Sequence, residues 1–236
     1  MGGAVTEAEW LTCTDPQKML EFLRGKASDR KLRLFACACC RRVAGLLPDK
    51  ASLSALETCE WFADGLASRV ELQGARQAAI SSYNAYPDHD DFGNYSGGES
   101  ASAAVAGACW APDAKDRDRG LEDVIDNAFG LGRLYTGRRN GGQIEFRRQC
   151  RSLRDIFSNP FRPSPVVPHT VLAWNDGTVR RIAERIYEER AFDRLPILAD
   201  ALLDAGCDHE PILAHCRSEG PHMKGCWAVD LILGQQ

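Results

Sequence analysis

The sequence predicts an all-α protein, an irregular multi-helix bundle of short antiparallel helices. Three observations predict it. Apolar residues recur at three- and four-residue spacing through most of the chain, as helices with one buried face require. Helix punctuation is dense, with capping residues, first-turn prolines and glycines just past helix ends. No stretch shows the strict apolar–polar alternation of a half-buried strand. Solenoid-like stacking of helix pairs is compatible with this pattern, although no fixed repeat period is present.

At 236 residues the chain is long enough to bury a core without staples. Hydrophobic and charged contents of 44% and 26% are those of an ordinary globular protein. A net charge of −4 leaves no basic footprint, so no nucleic-acid partner is expected. No apolar run reaches the roughly 18–20 residues needed to cross a bilayer, and the N-terminal residues lack a signal-peptide pattern, so no membrane partner is expected and the chain is placed in the cytoplasm. Ten cysteines there would stay reduced and serve as core residues, ligands or nucleophiles rather than as disulfides.

In chain order, Asp15-Pro16 caps a short helix through Met19, Leu20 and Leu23 that Gly25 ends. Ser28 or Asp29 caps the next, whose broad apolar surface from Leu32 to Leu47 predicts deep burial up to Pro48. Arg41 and Arg42 near its end suit the negative pole of the helix dipole. Residues 50–68 and 70–83 repeat the helical period. Gly, Pro and Asp then take over in an exposed loop at 86–98. Its Asp88, His89, Asp90 and Asp91 lack the calcium-loop pattern and read as solvated. Small residues from Ala101 to Ala108 predict a closely approached helix that ends at Ala111-Pro112-Asp113, and 116–135 the next. A second loop at 136–142 precedes a helix over 143–157. Arg138, Arg139, Arg147, Arg148, Arg151 and Arg154 form the one locally basic region, read as a solvated face.

Four prolines between Ser158 and His169 forbid a helix and mark a connector over 158–169. It separates an N-terminal helical region, 1–157, from a C-terminal one, 170–236, packed as one unit. Phe157 and Phe161 would dock the connector as a strap. Asp176-Gly177-Thr178 starts a helix through Ile186. Leu195–Leu203 follows with Gly206 as its stop, then a short helix capped by Asp208 with Pro211 in its first turn. Gly220-Pro221 opens a last helix through Cys226 and Leu233.

That C-terminal stretch holds the chain's crowded Cys/His set: Cys207, His209, His215, Cys216, His222 and Cys226. His222 and Cys226, four apart, would share a face of the last helix, while His215 and Cys216 end the one before. Zinc takes such N and S donors in tetrahedral sets. The candidate metal ligands are therefore His215, Cys216, His222 and Cys226, against the alternative that these side chains simply pack. Cys37 and Cys40 are read as inert core thiols. No catalytic set is assembled by any motif: GxSxG, a P-loop, GxGxxG and HExxH are all absent.

The segments Trp10-Leu-Thr-Cys-Thr-Asp-Pro-Gln, Leu32-Arg-Leu-Phe-Ala-Cys-Ala-Cys-Cys-Arg-Arg, Leu153-Arg-Asp-Ile-Phe-Ser-Asn-Pro-Phe-Arg-Pro and Gly220-Pro-His-Met-Lys-Gly-Cys-Trp-Ala-Val-Asp resemble an expanded paralogous family of uncharacterised planctomycete proteins, some of which carry the SMI1/KNR4 label. The resemblance spans nearly the whole chain. It implies a bacterial cytoplasmic setting and one continuous helical unit, and carries over no functional residue. The leading expectation is a non-enzymatic helical protein-interaction module with an unknown protein partner and no cofactor. The alternative is a zinc-binding protein, structural or catalytic, using the C-terminal set. A third class, a thiol enzyme on Cys216 or Cys226, requires a lowered thiol pKa.

Overall fold

The computed structural model describes residues 5–86, 97–111 and 114–235. Asp88, His89, Asp90 and Asp91, and the helix end expected at Pro112-Asp113, lie outside them. Among the described residues there are twelve α-helices and no strand, as the sequence predicts. None of these helices is long and apolar enough to cross a membrane. The chain forms two compact units, one spanning Thr12–Cys150 and the other combining Thr6–Leu11 with the chain from Arg151 onward.

The first unit is built around α3 (Asp29–Arg42), capped by Ser28 and buried at every position from Leu32 to Cys40. A helix apolar on all sides belongs at a centre, and α3 packs against α4 (Lys50–Ala63), α6 (Gly98–Ala108) and α7 (Ala114–Thr136). It is shorter than its apolar pattern suggests. The chain leaves the helix at Val43 and makes a 3-10 turn at Ala44–Leu46, and Pro48 then holds Leu47 extended. Arg41 and Arg42 do more than face a helix dipole: they pair with the buried carboxylates of Glu60 at 2.7 Å and Glu145 at 2.6 Å. A buried carboxylate needs such a counter-ion, because leaving it unpaired costs several kcal/mol, roughly 3–5.

The Asp15 cap of α2 (Pro16–Leu23) is present, and α5 (Arg69–Ala85) begins with a full Ser68/Glu71 capping box. The small residues of α6 do permit close approach, with Gly107 lying against Gly120 of α7. One expectation about cysteine is overturned. Cys59 and Cys109 are joined in a disulfide across 50 residues, which brings the end of α4 to the end of α6; eight described cysteines remain thiols. α8 (Gly141–Phe157) starts within the loop expected at 136–142, and its Phe146 ring packs 4.5 Å from Phe129.

In the second unit, α9 (His169–Glu189) is two helical segments. Residues 174–177 leave helical geometry between them, so the start expected at Thr178 is real and His169–Ala173 is an additional turn. Its inner face (Val179, Ala183, Ile186) meets α10 (Leu195–Asp204), α11 (Glu210–Arg217) and α12 (Trp227–Leu233) in one apolar core. Two expectations at this end are corrected. His209, not Asp208, holds the N-cap position of α11, without a side-chain cap. The last helix begins at Trp227 rather than at Pro221, because Gly220 (φ +82°) and Gly225 (φ +88°) take left-handed conformations at either end of the intervening chain, which a right-handed helix does not contain. A helix that sequence periodicity passed over, α1 (Glu7–Thr12), also belongs here, with Trp10 fully buried. Of the connector expected over 158–169, residues 158–168 are non-helical and His169 begins α9.

Candidate metal centre

Three ends of secondary structure meet in the second unit. The last turn of α8 supplies Asp155, the last turn of α11 supplies His215, and the loop between α11 and α12 supplies His222 and, at the N-cap of α12, Cys226. One donor atom from each of these four residues lies within 4.8 Å of every other. His215 Nε2 is 3.1 Å from Cys226 Sγ and 3.2 Å from Asp155 Oδ1, and His222 Nδ1 is 2.6 Å from the same Oδ1. A tetrahedral zinc ion with bonds of about 2.0–2.3 Å spaces its ligand atoms roughly 3.3–3.6 Å apart. Around an ion the shortest contact, 2.6 Å, opens by about 0.7 Å and the widest separations, up to 4.8 Å, close by about 1 Å.

A single N–H on His215 Nε2 cannot point at both the sulfur and the carboxylate. His222 Nε2 lies 3.2 Å from both the Ser218 carbonyl, which only accepts, and the Ser218 Oγ; in the tautomer with its hydrogen on Nε2 it donates to the carbonyl. Its Nδ1, 2.6 Å from a carboxylate oxygen, then requires either a second proton or a cation beside it. A ligating histidine usually presents one bare nitrogen while its other N–H bonds a carbonyl, and His222 is arranged in that way. The Met223 amide donates to Asp155 Oδ2 at 3.2 Å, leaving Oδ1 turned toward the group. The His215 ring is held against Trp227, centroids 4.9 Å apart.

The electrostatics fit the same picture. Burial, reinforced by the Asp155 charge, pushes the Cys226 thiol well above its ordinary pKa, so a thiolate there needs a cation to replace its proton. For His222 burial opposes the charged ring, but the hydrogen bond and charge of Asp155 outweigh it and raise the pKa above 6.5. Gly220 makes the loop possible: besides its positive φ, a Cβ there would lie 2.9 Å from the His222 amide nitrogen.

Of the four ligands expected from sequence, the structure gathers His215, His222 and Cys226. Cys216 is not one of the gathered four. It lies fully buried in the apolar core of the second unit, its thiol pushed up to about 12 by burial and by Asp155. The fourth donor is Asp155, which sequence reasoning missed. Both thiols move upward, opposite to the lowered pKa that a thiol enzyme on either would require. The class that fold and site define is an all-α protein carrying a compact N/O/S donor group. Compared with known proteins, the chain matches no family model, no curated protein and no solved structure.

Proposed function

We propose that the second unit holds one structural zinc ion on Asp155, His215, His222 and Cys226, and that the helical body it braces acts as a non-enzymatic protein-interaction module. The observation carrying the metal reading is the convergence of four donor atoms within 4.8 Å on residues 60–71 positions apart for Asp155 and its partners. Two anionic donors and two neutral imidazoles balance a divalent charge. Four protein donors also fill a tetrahedral set and leave no open position for substrate, which is the arrangement of structural rather than catalytic zinc. Short helices such as α11 and α12, of eight and seven residues, gain most from such a clip, since helices of this length are marginal alone.

Elemental analysis of the purified chain, paired with thermal melting before and after chelator, tests this reading. About one zinc per chain is expected, and its removal lowers the melting temperature. Cys226→Ala and Asp155→Asn abolish binding, whereas Cys216→Ala retains the metal. A metal-free protein whose melt ignores both zinc and chelator would refute the proposal.

A further inference from the structure

Asp155 has a neighbour with a different task. Arg154, in the same last turn of α8, donates from Nε (3.0 Å) and Nη2 (2.7 Å) to the backbone carbonyl of Trp10 in α1. The Trp10 indole N–H in turn donates to the Ser158 carbonyl at 3.1 Å, and Ser158 sits immediately beyond that turn at φ +55°. Asn159 and Arg162 close the seat by donating to Glu7 at 2.6 and 2.8 Å. Residues 154–162 thus form a continuous seat for Thr6–Leu11, and that seat begins one residue from a proposed metal ligand.

We propose that the metal group and this seat are thermodynamically coupled: metal binding holds the Thr6–Leu11 arm down, and release of the arm weakens metal binding. The inference rests on the metal reading above. Its physical basis is the end of α8. A terminal turn frays because its last carbonyls lack intrahelical partners. Anchoring Asp155 to an ion fixed by α11 and the 218–226 loop removes that freedom. The same turn places the Arg154 guanidinium and, through the Ser158 amide bonded to the Arg154 carbonyl at 3.0 Å, the carbonyl that receives Trp10. The arm has little stability of its own, since six residues of helix do not persist undocked. Its amide protection therefore reports docking.

Hydrogen exchange of the Thr6–Leu11 amides, measured by mass spectrometry on the full chain with added zinc and with chelator, tests the coupling. Zinc is expected to slow exchange of the arm about tenfold, within the usual range of coupling between sites. Asp155→Asn removes the difference. Arg154→Ala speeds arm exchange in both states and, because coupling is reciprocal, lowers zinc affinity by up to the same tenfold coupling factor. If zinc binds and arm exchange is unchanged, or if Arg154→Ala frees the arm at full zinc affinity, the coupling is refuted while the metal reading stands. If zinc does not bind, both fall.

Discussion

Single side chains decide several features that periodicity cannot. Arg33 lies inside the apolar surface of α3, 2% exposed, and points its guanidinium at the end of α6, donating to the Ala108 carbonyl at 2.7 Å and the Trp110 carbonyl at 3.1 Å. It also stacks on the Trp110 ring at 4.2 Å, and burial depresses its pKa to about 10. The positive charge thus caps the negative end of a helix whose last carbonyls would otherwise be buried unpaired. Arg33→Met keeps volume and removes both bonds, and a loss of roughly 3 kcal/mol in denaturant-melt stability is expected, since hydrogen bonds from charged donors contribute about 1.5–3 each. The same limit hid Asp155 from sequence reading. Flanked by Arg151 and Arg154, it reads as a surface counter-ion, and only the fold reveals that Arg154 is committed to Trp10 and that Asp155 faces inward, 3% exposed in its side chain. His215, His222 and Cys226 were legible because ligating side chains of that type crowd into twelve residues. Cys216 was indistinguishable from them by spacing, and only the fold, which leaves it outside the gathered four, separates it.

At the scale of elements, two glycines in helix interiors make opposite demands. Replacing an exposed mid-helix glycine by alanine normally stabilises by up to about 1 kcal/mol. Gly74 in α5 has nothing within 4 Å of an added Cβ, so Gly74→Ala should raise the melting temperature. Gly107 in α6 is different. Its Cβ would lie 2.9 Å from the Gly120 carbonyl and 3.1 Å from Asp123 Cβ, backbone and near-backbone atoms that cannot swing aside. Overpacking of about 1–3 kcal/mol outweighs the propensity gain, and Gly107→Ala should lower the melt. Equal stabilisation by both changes would refute the close packing of α6 on α7. Most helices were readable because caps and apolar stripes are local, as at Ser28, Asp15 and Gly206. What failed was local structure overridden by distant contacts. Glu7–Thr12 is too short to show a period; it carries a local Thr6/Glu9 capping box, and Arg154 and Ser158 receive it. The segment 221–226, whose spacing suited a helix, is turned aside by two left-handed glycines.

For the whole molecule, acid is the informative perturbation. Asp49 and Asp116 both have lowered pKa values: burial opposes ionisation, but Ser82 and Ser52 donate to Asp49, and Arg76 and the Ala111 amide to Asp116. A carboxylate with a depressed folded pKa contributes stability that is fully present above its unfolded value of about 4 and is lost as pH falls through the folded value. Stability should therefore decline below about pH 4 and be flat through neutrality as far as these two groups are concerned. The double variant Asp49→Asn, Asp116→Asn should be less stable at pH 7 and show a shallower acid slope; an unchanged slope would refute the assignment. The long reach of the second unit has a further consequence, one of timing. Trp10 and its acceptor Ser158 are 148 residues apart, and a ribosome adding roughly 5–20 residues per second leaves the tryptophan without its seat for roughly 7–30 s after it is made. The donors at 215–226 come later still. Through that interval Trp10 and Glu7 lack the groups at 154–162 that receive them, so their docking comes late in synthesis.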